Sequence, residues 1–267
     1  MFIKKKKLSL IILSTVLLIG ILVICSVFGV FKPKESILDT RTINGKIDIG
    51  GYGLNVNCVG KGKPTVLFES GLGKYNLNWD LVQPEIAKIT RTFSYDRAGL
   101  GYSDPDENNL HKTSLDQVHE LHTLLEKANV KGPYIIVAHS IGGYNARLFA
   151  GTYPDEVSGI LFLDCTPSDK YDVFNKEESG YLADLAKLEP HLDVVESGNQ
   201  VKEITKKDTL RNVPITVISA VNSSLEYLDL SDKSKLVSSD GSGHYIQIEK
   251  EWIVIDAIKD LIKTVRK

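Results

Sequence analysis

Apolar positions along the chain fall into three patterns. Short unbroken runs bounded by turn residues appear in "KPTVLFESGLG" (63–73), "PYIIVAH" (133–139), "SGILFLD" (158–164) and "PITVISAV" (214–221). Runs of this length and composition read as strands buried on both faces. Two shorter strands flank Gly50-Gly51 in "KIDIGGYGLNVNCVG", another opens "RTFSYDRAGLGYSD", and a last one lies in "KLVSSDGSGH". Between them the apolar spacing changes to three and four, which predicts helices over "SLDQVHELHTLLEKANV", "IGGYNARLFAGTYP" and "EKEWIVIDAIKDLIKTV". "NWDLVQPEIAKI" has the same spacing, with Pro84 marking a start or a kink, and Ser114 with Gln117 fits a capping box. Strands that alternate with helices predict an α/β fold with a mostly parallel central sheet flanked by helices. Residues of about 168–213 are charged and helical in pattern, and predict a small helical lid inserted between two core strands.

The third pattern is residues 8–31, "LSLIILSTVLLIGILVICSVFGVF", without a charge and directly after Lys4–Lys7. At about 1.5 Å per residue this segment is long enough to span a hydrocarbon core of about 30 Å. It exceeds the roughly 7–15 apolar residues of a cleaved signal and lacks a small-residue cleavage site. The expectation is one N-terminal transmembrane anchor, with residues 1–34 as cytoplasmic lysines, anchor and linker and residues 35–267 as one domain. The positive-inside tendency puts that domain on the extracytoplasmic side of the cell membrane. Secretion after cleavage is the alternative.

Charge then narrows the partners. The chain holds 32 basic and 34 acidic side chains, but six lysines lie in residues 1–34 with no acid. Residues 35–267 keep 26 basic and 34 acidic groups, a net charge of −8. An acidic body argues against nucleic acid as a partner. Of three cysteines Cys25 lies in the apolar segment, and Cys58 and Cys165 read as two buried thiols. "GLGKYN" lacks the third glycine of a dinucleotide loop, and "GKGKPT" has Pro64 where a phosphate loop needs Ser or Thr. His119 and His122 are spaced too closely for a zinc-binding helix motif, so neither a metal nor a cofactor is expected.

In α/β sheets the chemistry gathers at the carboxyl ends of the strands. Gly71-Leu72-Gly73, Asp96-Arg97, Ser140, Asp164, Asn222 and His244 all fall there. Ser140 lies between a strand and a helix, with Ala138 two before it and Gly142 two after. A sharp turn of this kind lifts a nucleophile clear of the sheet and requires small neighbours. The Ile141 N–H, at the helix start, then faces a developing oxyanion, and the Leu72 N–H offers a second donor. His244 lies in a glycine turn between the last strand and the last helix, where a base would stand, whereas strand alternation turns His139 away from Ser140.

Together "PTVLFESGLG", "SYDRAGLGYSD", "GPYIIVAHSIGGYNARLFA", "GILFLDCTP" and "GSGHYIQIEKEW" resemble the α/β-hydrolase superfamily over residues 46–267. The resemblance implies Ser140 as nucleophile, His244 as base, and a carboxylic ester or related acyl compound as small-molecule substrate. Two positions depart from the family. Ser70 stands where His is common before the oxyanion-turn glycine. Asn222 stands where the acid usually follows the penultimate core strand. Some members, the haloalkane dehalogenase-like ones among them, carry the acid one strand earlier, which implies Asp164, with Asp229 and Glu226 as substitutes. A dehalogenase itself uses a carboxylate nucleophile, and here the position is Ser140. The triad leaves Asp96 and Arg97 no catalytic role, and they read as loop scaffold. A thioesterase, lactonase or peptidase would use the same parts; a non-catalytic binding or sensing protein is the rival from another class.

Overall fold

The computed structural model describes residues 42–167, 187–205, 208–220 and 224–267. The anchor expected at residues 8–31, residues 168–186 and 206–207 of the expected lid, and Asn222 lie outside the described residues. Among the described residues no helix is long and apolar enough to cross a membrane.

The strands are β1 (Ile43–Asp48), β2 (Gly53–Val59), β3 (Thr65–Glu69), β4 (Thr92–Tyr95), β5 (Tyr134–His139), β6 (Val157–Leu163), β7 (Ile215–Ser219) and β8 (Ser234–Ser238). They join in one sheet of order β1-β2-β4-β3-β5-β6-β7-β8. The hairpin β1–β2 is antiparallel and also pairs antiparallel with β4, while β3 through β8 run parallel. The helices are α1 (Gln83–Ala87), α2 (Ser114–Lys127), α3 (Gly142–Thr152), α4 (Val194–Thr205), α5 (Ile246–Glu249) and α6 (Glu251–Val265). Pro84 sits in the first turn of α1, where its missing N–H costs nothing.

The unbroken apolar runs are explained by two cores, one on each face of the sheet. Ile136 and Ala138 of β5 and Ile160 and Phe162 of β6 join α2, α3 and Val201 of α4 on one face. Ile135, Val137, Leu161 and Leu163 join α6 on the other. Alternate residues therefore serve opposite cores, and every residue of β5 is buried. The described residues of the lid stretch, 187–205 and 208–213, include helix α4, whose Val194 and Val201 are buried in the first core. Cys58 and Cys165 are buried and form no disulfide among the described residues, as read from the sequence.

The capping box of α2 corrects the sequence reading by one residue. Thr113, with extended backbone, accepts from the Asp116 N–H, and the Asp116 carboxylate accepts from the Thr113 N–H. Ser114 is already helical, and its N–H donates to Ser197 Oγ at 2.8 Å. The Ser114 hydroxyl is buried and has no partner among the described residues. Thr113→Ala should therefore cost about 1 kcal/mol of stability, whereas Ser114→Ala should be near neutral. Urea unfolding of the two variants checks this.

Candidate active site

β5 ends at His139, and Ser140 follows with φ of 55°, a left-handed conformation that few non-glycine residues adopt. The turn is pinned on both sides. The Ser140 N–H donates to Leu163 O at 3.1 Å, and Ser140 O accepts from Gly143 N (3.1 Å) and Thr166 N (3.2 Å). Helix α3 starts two residues later. A Cβ at Gly142 would lie 2.8 Å from the carbonyl oxygens of Glu69 and Ser70. One at Gly71 would lie 2.9 Å from His139 Nδ1 and 3.2 Å from Ser140 Cβ. The elbow and the turn after β3 thus meet backbone to backbone at Gly142, while the Gly71 backbone lies against the His139 and Ser140 side chains, an approach that glycine at 71 and 142 permits.

Asp164, directly after β6, also has positive φ (39°), and its N–H donates to Ile218 O at 2.7 Å. One carboxylate oxygen accepts from the Ala220 N–H (2.9 Å) and the Ser219 hydroxyl (3.3 Å). The other lies 2.7 Å from His244 Nδ1. A carboxylate only accepts when ionised, so this contact assigns the proton to Nδ1 and leaves Nε2 of a neutral ring as a base. Asp164 is 7% exposed and His244 43%, so the carboxylate is fixed inside while the imidazole reaches outward. Of the substitutes, Glu226 is engaged by Arg147 at 2.9 Å, and Asp229 lies with Arg147 and Asp208 around a separate small cavity.

His139 plays a part that strand alternation did not show. It does point to the opposite face from Ala138, but the His244 loop comes round to that face. His139 Nε2 donates to the His244 carbonyl at 2.9 Å, and the two rings lie 4.6 Å apart. The residue beside the serine therefore holds the His244 loop. Burial, reinforced by His244 close by, lowers the His139 pKa from 6.5 to about 3.

The oxyanion donors expected at Leu72 and Ile141 lie at the elbow and the turn it touches. Among the described residues neither N–H donates a hydrogen bond. Asp96 accepts from the Asn76 and Tyr102 N–H groups and from Asn55 Nδ2, which fits a loop scaffold. Arg97 is tied instead to Glu69 and Glu189, two buried carboxylates that sequence reasoning passed over. A glutamate inside the apolar run "TVLFES" was the available signal, because a buried carboxylate needs a partner. No group of three or more His, Cys, Asp or Glu among the described residues is arranged to hold a metal.

Residues 64–188 match the sequence model of the α/β hydrolase fold family. The chain is 28% identical over 211 residues to protein YqjL of Bacillus subtilis, covering 74% of this chain and 83% of that one. It is 30% identical over 125 residues to 2-(acetamidomethylene)succinate hydrolase of Mesorhizobium japonicum, covering 47% of this chain and 44% of the enzyme. Among solved structures, the haloalkane dehalogenase variant from Bradyrhizobium elkanii superposes with a TM-score of 0.66 at 13% identity, covering 83% of this chain and 96% of that one. The sheet order, the family model and the superposition together show that the chain has the α/β-hydrolase fold.

The lowered His139 pKa has a sign that can be measured. Between about pH 6.5 and 3 the unfolded chain binds a proton at His139 that the folded chain refuses, so stability falls as pH drops below about 6.5. The share from this residue is up to about 1.4 kcal/mol per pH unit. Urea unfolding at pH 7.5 and pH 5 should show His139→Asn losing less stability on acidification than the wild type. Equal losses would contradict a buried neutral His139.

Proposed function

We propose that the protein is a membrane-tethered serine hydrolase that cleaves a carboxylic ester or related acyl compound through an acyl-enzyme. The observation that carries this reading is the 2.7 Å pairing of His244 Nδ1 with a buried Asp164 beside a serine in left-handed conformation. A serine hydroxyl is a weak nucleophile until a base takes its proton. Asp164 fixes the His244 tautomer and stabilises the imidazolium that forms.

Ser140 Oγ attacks the acyl carbon while His244 Nε2 accepts its proton. The carbonyl electrons move onto oxygen, and the resulting oxyanion is met by the Leu72 and Ile141 N–H groups. Each such donor is worth about 3 kcal/mol in the transition state. The C–O bond to the leaving group breaks as His244 returns the proton to it. Water, deprotonated by the same imidazole, then releases the acid from Ser140. A thioester, lactone or peptide would meet the same groups. A dehalogenase mechanism is disfavoured because a carboxylate nucleophile is replaced by Ser140. A binding-protein reading would rest on the neutral Asn222 where the acid usually stands; the pairing of Asp164 with His244 supports the enzyme reading instead. The tether rests on Lys4–Lys7 and the uncharged residues 8–31.

The test is turnover of short-chain and long-chain aryl esters by the full chain in detergent. Ser140→Ala should abolish turnover above background. Asp164→Asn should lower kcat by about 10⁴-fold with the circular dichroism spectrum unchanged. Asp229→Asn should leave kcat within about two-fold. Loss of activity in Asp229→Asn but not in Asp164→Asn would overturn the assignment of the acid.

A further inference from the structure

The most elaborate buried polar cluster in the described residues uses none of the three proposed catalytic side chains. At its centre Arg97 is 3% exposed, and all five of its N–H groups have acceptors. Nε and Nη2 donate to the two oxygens of Glu189, each at 2.8 Å. Nη1 donates to Glu69 Oε1 at 3.0 Å and to Ser70 O at 2.8 Å, and Nη2 donates to Gly71 O at 2.7 Å. Two of the five acceptors are thus backbone carbonyls of the turn that supplies the proposed oxyanion donor. The Glu189 carboxylate reaches the same turn, accepting from the Gly73 N–H at 3.0 Å.

A planar trans peptide turns this grip into a direction. The Gly71 carbonyl and the Leu72 N–H belong to one peptide unit and point opposite ways. With Gly71 O drawn towards Arg97 on the inside, the Leu72 N–H faces away from Arg97. The next peptide unit is fixed in the same manner, because its Gly73 N–H is drawn to Glu189. Leu72 therefore sits between two peptide planes, each held by one member of the Arg97–Glu189 pair. Without those partners the turn keeps its own bond from the Lys74 N–H to Gly71 O at 3.0 Å, but its two glycines leave the turn as a whole able to rotate.

Glu189 belongs to the stretch between β6 and β7 that covers the sheet, 92 residues from Arg97. That stretch is seated by main-chain bonds of Lys112 N to His191 O and Asp193 N to Lys112 O, both 2.7 Å. Leu188 closes directly over Gly73, where an added Cβ would lie 2.4 Å from Leu188 Cβ. Gln117 donates to Glu189 at 2.8 Å, and Asn145 of α3 bridges Gln117 and Glu69. The cluster thereby joins the covering stretch, the oxyanion turn and the helix that follows Ser140. Burial pushes the Glu189 pKa up, but the guanidinium more than offsets this and the net shift is downward, so Glu189 stays a carboxylate.

We propose that Arg97 and Glu189 are positioning residues that aim the Leu72 N–H, so that the oxyanion site forms only when the stretch carrying Glu189 is seated on the turn. The inference rests on the serine hydrolase reading for its catalytic consequence and on geometry alone for its structural one.

The experiment compares the full chain with Glu189→Ala, Glu189→Gln and Arg97→Lys, measuring aryl-ester kcat and KM and amide hydrogen exchange by peptide. Glu189→Ala and Arg97→Lys should lower kcat by about 10- to 100-fold, short of the 10²–10³ for outright loss of an oxyanion donor. KM should stay within about two-fold. Exchange over residues 70–75 should rise while exchange over α6 is unchanged. Glu189→Gln keeps one acceptor oxygen and should fall between wild type and Glu189→Ala. It also carries the comparison if Glu189→Ala does not fold. Wild-type kcat and wild-type exchange over 70–75 in a folded Glu189 variant would overturn the proposal. Equal loosening of the turn and α6 would also overturn it, by showing a general stabilising role. If the wild type cleaves no ester, the hydrolase reading fails, and the exchange over residues 70–75 alone decides whether the pair holds the turn.

Discussion

Ser140 is held in a left-handed backbone conformation by two glycines that let the strand turn and the helix start press against each other. An L-residue there costs roughly 1–2 kcal/mol, and the surrounding contacts must exceed that cost for the conformation to persist. They do so through main-chain bonds to β6 and through the approach of Gly142 to the Glu69 and Ser70 carbonyls. The same crowding brings Gly71 against the Ser140 Cβ, so one contact sets both where the serine stands and where the Gly71–Gly73 turn lies. The two cores serve this junction by making β3, β5 and β6 rigid on both faces.

Around that junction the polar groups are arranged by burial. Asp164 and Glu189 lie inside with several donors each, while His244 extends towards solvent. Burial keeps His139 neutral, so it places no positive charge beside the His244 ring 4.6 Å away. Arg97 brings a charge into the interior, where it is tolerated because every N–H finds an acceptor. A buried arrangement with all donors matched has few alternative geometries, which suits it to fixing a turn.

The parts of this picture that were legible in the sequence are local. Unbroken apolar runs gave the parallel strands, a serine flanked by Ala138 and Gly142 gave the elbow, and "GILFLDCTP" offered Asp164 at the end of its strand. The capping box was misplaced by one residue because Thr113/Asp116 and Ser114/Gln117 both fit the pattern. Only the extended backbone of Thr113 and the bond from Ser114 to Ser197 separate them. Alternation placed His139 on the right face of β5 but carried no information about which loop would arrive there. Glu189 was not legible at all, since its partners Arg97 and Gly73 lie 92 and 116 residues away. Glu69 was visible as a charge in a buried strand without showing what would neutralise it.

The central claim is that Ser140 is activated by His244, and covalent trapping tests it most directly. The full chain and its Ser140→Ala variant would be treated with a fluorophosphonate, and the adduct followed by intact mass and peptide mapping. The account predicts one adduct per chain, located on Ser140 and absent from the variant. A folded wild type that takes up no label, or one that is labelled at another residue, would contradict it.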